Sequence, residues 1–148
     1  MNRAKRLAPV QQLVDDTERK LATSLAAHER RVIEAQNKLS ELIRYRGEYQ
    51  QQLTQRAGNG IAATDLRDYQ VFLSRLTEAI RQQQGVVQRT ASERDVERLR
   101  WQEAARRVKA IGHVVTQWQT EEQRMLDKRD QRETDERGQR VRRDELLK

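Results

Sequence analysis

The chain has 148 residues, room for about one domain, with 35% hydrophobic, 36% charged and 4% aromatic residues and one proline. Average globular domains are nearer half apolar, so this balance excludes a broad core and leaves enough for a narrow seam between helices. The absence of cysteine excludes disulfide and thiolate chemistry, while a net charge of +7 admits nucleic acid, anionic lipid or acidic protein as partners.

The opening, MNRAKRLAPVQQLVDD, is basic but lacks the apolar run of a secretory signal. No stretch approaches the roughly 18 apolar residues that a membrane span needs. The compartment expected is therefore the cytosol.

The first half carries one heptad register. Leu7, Val14, Leu21, His28, Ala35, Leu42 and Tyr49 recur every seven residues. Leu25, Val32, Leu39, Arg46 and Leu53 interleave with them. The alternation of four and three places the Leu25 series at a and the Leu21 series at d of a coiled-coil helix, expected over about residues 4–57.

The stretch QRAGNGIAATDLRDYQVF follows. Gly58 or Gly60 is expected to end the helix in the left-handed conformation, which Asn59 also tolerates. Thr64 or Asp65 is expected to cap the next helix through a side-chain oxygen. Residues 58–63 thus read as a tight turn between antiparallel neighbours.

The second helix is expected over about residues 65–137 in its own register. Leu66, Leu73, Ile80, Val87, Arg94, Trp101, Val108 and Val115 occupy a. Tyr69, Leu76, Gln83, Thr90, Glu97, Ala104, Ile111, Trp118 and Met125 occupy d. With a short turn, His28 falls level with Arg94 and Glu97, so the polar positions of both registers form one layer. The seam should stop near residues 118–125, leaving a charged C-terminal end that frays. The fold expected is a single all-α domain, a long antiparallel two-helix coiled-coil hairpin, its arms about 75 Å long at ~1.5 Å per residue.

Positive and negative residues mix along the whole chain. Residues 1–60 hold 11 basic against 7 acidic, and residues 110–148 hold 9 of each. Solvated helix faces explain this better than a nucleic-acid or membrane stripe. Catalysis needs convergent groups in a pocket, and a two-helix hairpin offers almost none. The two histidines, His28 on the seam and His113 at an outward f position, should lie far apart, and GNG lacks the strand and lysine of a phosphate loop. No enzymatic activity, catalytic residue, metal site or cofactor is expected.

Phe72, Ala79 and Val86 recur every seven residues at g, beside the core series. They either widen the seam or form an exposed stripe that docks on a partner protein.

The run LIRYRGEYQQQLTQRAGNGIAATDLRDYQVFLSRLTEAI, residues 42–80, resembles the flagellar export protein family FliJ. The likeness rests on Tyr45, Glu48-Tyr49, Leu53, the Gly58-Asn59-Gly60-Ile61-Ala62 turn, Tyr69-Gln70, Phe72, Leu76 and Glu78-Ala79-Ile80, with RWQE around Trp101 downstream. The resemblance implies a non-enzymatic component of the bacterial flagellar type III export apparatus, without cofactors. It implies a coiled coil like the gamma-subunit stalk of rotary ATPases, cytoplasmic and peripheral at the inner membrane of the flagellar base. Its implied partners are the hexameric ring of the export ATPase FliI, the ATPase regulator FliH, the export gate protein FlhA and export chaperones. Neither specific nucleic acid nor membrane insertion is implied.

The resemblance carries a gate contact onto Phe72, Leu76 and Ala79, while Gln83 stands where a histidine is associated with the family. A ring-facing end is expected around Leu7, Val14, Ile111, Trp118 and Met125. Two alternatives remain open: the equivalent stalk of a virulence type III secretion system, and a basic coiled-coil scaffold for nucleic acid or anionic membrane. The Gly-Asn-Gly turn and its flanks favour the flagellar branch.

Overall fold

The computed structural model describes residues 3–147, all of them in or between helices and none in a strand among those described. A short helix α1 spans Arg3–Arg6, α2 spans Ala8–Asn59 and α3 spans Ala63–Leu147. The fold is all-α.

Burial follows the two heptads. In α2, Val32 and Ala35 are buried and the other a and d residues from Leu21 to Leu53 are half-buried. In α3, Leu76, Ile80, Gln83, Glu97, Ala104 and Val115 are buried, and the remaining a and d residues up to Trp118 are half-buried. Met125, the next d position, is 72% exposed. The apolar material is spent on a stripe wide enough for one neighbouring helix, as a/d patterning requires. Gln83 and Glu97 occupy d positions as polar residues, and both are among the buried ones.

Two compact units separate, one formed by Lys20–Gln102 and the other by the stretches up to Arg19 and from Glu103 onward. One domain is expected from the sequence; a narrow seam has no centre around which distant turns can gather, so contacts group locally. Within the Lys20–Gln102 unit the chain reverses as a helical hairpin. His28 meets Glu97, Ala35 meets Gln83, and Tyr49 meets Tyr69. Partner numbers fall on α3 as they rise on α2, which is the antiparallel arrangement.

The turn is shorter than expected. Residues Gly58 and Asn59 stay helical, and Gly60 alone takes positive φ, at 88°. Its N–H donates back to the Ala57 carbonyl at 3.4 Å. α3 begins at Ala63, two residues before the expected start, so Thr64 and Asp65 sit inside the first turn rather than capping it. The Ala62 carbonyl accepts from the Leu66 N–H at 3.0 Å, and Asp65 places its charge at the positive end of the helix dipole.

In the other unit, α1 is a separate turn. The Leu7 N–H donates to the Ala4 carbonyl at 3.2 Å, a three-residue step, and the helical ladder then resumes from Leu7 to Gln11. Ala4 is buried at 7% exposure. At the other end α3 runs to Leu147, past the expected end near residue 137. The a/d pattern lapses there, but Glu, Gln, Lys and Arg are strong helix formers. Ion pairs and hydrogen bonds four residues apart, Arg129–Glu133 at 3.6 Å and Gln123–Asp127 at 3.1 Å, add to that preference.

Candidate partner-binding surfaces

Beside the turn, α2 and α3 bring four aromatic rings together. Tyr45 and Tyr49 lie one helical turn apart on α2, with centroids 5.4 Å apart in an edge-to-face arrangement. Phe72 of α3 meets Tyr49 at 4.3 Å and Tyr45 at 6.0 Å. Tyr69 completes the group at 5.6 Å from Tyr49. The two Tyr45 pairs are edge-to-face at spacings that aromatic rings favour, and the two other Tyr49 pairs are tilted. The heptads alone did not find this cluster, although a signal exists. The pairs Tyr45/Tyr49 and Tyr69/Phe72 each share a helix face and flank the turn at similar distances.

An open cavity of about 340 Å³ is lined by Tyr49, Asp68, Tyr69 and Phe72. The Arg56 guanidinium lies over the Tyr69 ring at 5.5 Å, within cation–π range. Among the three residues expected to contact the gate, Phe72 and Ala79 are half-buried and Leu76 is buried. Leu76 is therefore seam, and its exposed area is 7%. Val86 is half-buried too, so the g stripe widens the seam while keeping part of each side chain at the surface.

Gln83, where the family pattern suggested a histidine, is held inward. Its side-chain amide donates to the Ala35 carbonyl at 3.0 Å. Nearby on the surface, Arg81 donates to both carboxylate oxygens of Glu78, at 3.0 and 2.6 Å. That hydrogen bonding, together with the guanidinium charge, holds the Glu78 carboxyl below the usual carboxylate range.

The polar layer is only partly the expected one. His28 Nε2 lies 3.8 Å from Glu97 Oε2, and Arg100 approaches the same oxygen at 3.5 Å. Arg94 turns instead to its sequence neighbour Asp95, with Nη2 at 3.1 Å and Nε at 3.2 Å. A long guanidinium at a reaches the seam edge, where an adjacent carboxylate is better solvated than a buried one.

In the unit formed by the chain's two flanking stretches, Leu7, Val14, Ile111 and Trp118 are half-buried and Met125 is exposed. Arg3 lies over the Trp118 ring at 4.8 Å and donates to Glu121 Oε2 at 2.9 Å. Met125 and Leu126 line an open, mostly apolar groove of about 390 Å³ between Glu122 and Arg129.

No group of three or more potential metal ligands occurs among the described residues. No helix among them is long and apolar enough to cross a membrane. What the surface offers is ring faces, small apolar grooves and mixed charge. Those features suit protein contacts.

Comparison with known proteins gives one family. Neither curated proteins nor solved structures give a match to the chain. The family model described as the flagellar FliJ protein matches residues 3–145, which takes in the aromatic cluster, the turn and both long helices. On that span, the chain belongs to the FliJ family.

Proposed function

We propose that this FliJ-family chain, for which family membership supports a flagellar export-related role, acts as a stalk-like, non-enzymatic part of the type III export apparatus. In this reading it promotes assembly and activity of the FliI hexamer, alongside FliH, engages the gate protein FlhA and handles export chaperones. It works in the cytoplasm at the inner face of the flagellar base. The single observation that carries the reading is the ring cluster at Phe72. It is an adhesive patch of partly exposed aromatic surface where the two long helices meet beside the turn.

The reading assigns gate engagement to Phe72 and Ala79, with Leu76 supporting them from the seam. It assigns contact with the ATPase ring to the flanking stretches, where Met125 and Leu126 are 72% and 52% exposed. Interspersed exposed charges of both signs give the nucleic-acid and anionic-membrane reading no specific support, and the flagellar family match favours the flagellar over the virulence-secretion reading.

Capture of the matching FlhA cytoplasmic domain on the immobilised chain tests the gate assignment. Phe72→Ala should lower capture at least several-fold with helix content unchanged by circular dichroism. Unaltered capture by a well-folded Phe72→Ala variant removes the assignment.

A further inference from the structure

The cavity at the ring cluster has a chemistry more particular than an apolar patch. Three of its four lining residues are aromatic and the fourth, Asp68, is an exposed carboxylate. Among the described residues no basic one lines it, and Asp68 makes no ion pair or side-chain hydrogen bond with another of them. Aromatic faces carry negative quadrupoles, and a carboxylate beside them adds a full negative charge. The combination is complementary to a cation.

Guanidinium fits it better than ammonium. It is planar, stacks on ring faces and presents a donor fork that matches a carboxylate, whereas ammonium is a strongly hydrated point charge. The chain already makes this contact once at the same cluster, since Arg56 lies over Tyr69.

We propose that the Tyr49–Asp68–Tyr69–Phe72 cavity receives an arginine side chain from the partner protein that docks beside Phe72. This deepens, and rests on, the assignment of the Phe72 face to partner binding. The guanidinium stacks on the rings and donates to Asp68, while apolar neighbours in the partner segment cover the half-buried Phe72 edge. Asp68 then selects among partner segments by charge.

The test uses the full chain and two peptides, acetyl-Gly-Leu-Arg-Leu-Gly-amide and its counterpart with neutral citrulline in place of arginine. Binding is read from the ring resonances of Tyr49, Tyr69 and Phe72. The arginine peptide should bind about five-fold more tightly, and Asp68→Asn should erase that preference. Circular dichroism should not change in Asp68→Asn, because the side chain is exposed. Equal affinities, no binding of either peptide, or a preference that survives in Asp68→Asn would overturn the proposal. So would a dimer of this chain that dissociates on Asp68→Asn, since the occupant would then be a second copy. Capture of the FlhA domain by Phe72→Ala is read separately. Lost capture with equal peptide affinities overturns the arginine alone, and kept capture with a clear arginine preference overturns the gate assignment alone.

Discussion

The side-chain amide of Gln83 on α3 donates a 3.0 Å hydrogen bond to the backbone carbonyl of Ala35 on α2, inside the seam. The bond spans two helices at a d position where leucine would be ordinary. A carbonyl within a helix already accepts from its own ladder, so Gln83 adds a second donor to it. Removing the amide therefore strands nothing on α2. Gln83→Leu should be neutral or stabilising, whereas Gln83→Glu sets a carboxylate against a carbonyl and should cost about 1–3 kcal/mol near neutral pH. Denaturant melts of the two variants check the order.

Gly60 and Gly58 should answer alanine in opposite directions. Neither has an atom within 4 Å of an added Cβ, so backbone conformation decides. Gly60 sits at φ +88°, where a side chain costs about 1–2 kcal/mol. Gly58 lies in the last turn of α2, where alanine should stabilise by up to about 1 kcal/mol. Thermal unfolding of the single variants checks both signs.

His28 and Glu97 form a seam layer with a side chain only 9% exposed on the Glu97 side. Replacing both by leucine exchanges a desolvated polar pair for apolar packing, which is often neutral or stabilising. What such layers contribute is register. The double variant should melt no lower than the parent, and light scattering should find it in more than one association state.

Glu78 is exposed, and its carboxyl is held low by the Arg81 hydrogen bonds. A depressed folded pKa adds stability above the unfolded value, and that stability is lost as pH falls through the folded value. The gain is small at a solvated site. In Arg81→Ala the Glu78 carboxyl should titrate at higher pH, as read by NMR, and unfolding should depend slightly less on pH in the acidic range.

The heptads made most of the fold legible. Every a and d position from Leu21 to Leu53 and from Leu66 to Trp118 is buried or half-buried, because a two-helix seam leaves little freedom beyond period and phase. Helix ends were less legible. Gly58 and Asn59 remain helical since one left-handed residue, Gly60, suffices to stop α2. α3 persists to Leu147 on propensity after its seam has gone.

The candidate site was half legible. Phe72 stands out from sequence as the only phenylalanine off the seam. Its companions Tyr45 and Tyr49 come from the other helix at a level that only cross-helix register sets. Arg94 keeps its half-buried a position but pairs with the neighbouring Asp95, a local contact that periodicity does not indicate. Arg3, whose contact with Trp118 could not be read from any periodicity, lies before α2 begins.

The most direct test of the stalk account is the ATP hydrolysis rate and ring assembly of the matching FliI, with and without this chain at physiological salt. The account predicts that the chain raises both. Trimming residues 1–14 together with residues from 111 onward should abolish the effect, and Phe72→Ala should leave it intact. No change in rate or assembly on adding the full chain would contradict the stalk mechanism, and loss of stimulation by Phe72→Ala alone would contradict the separation of ring and gate surfaces.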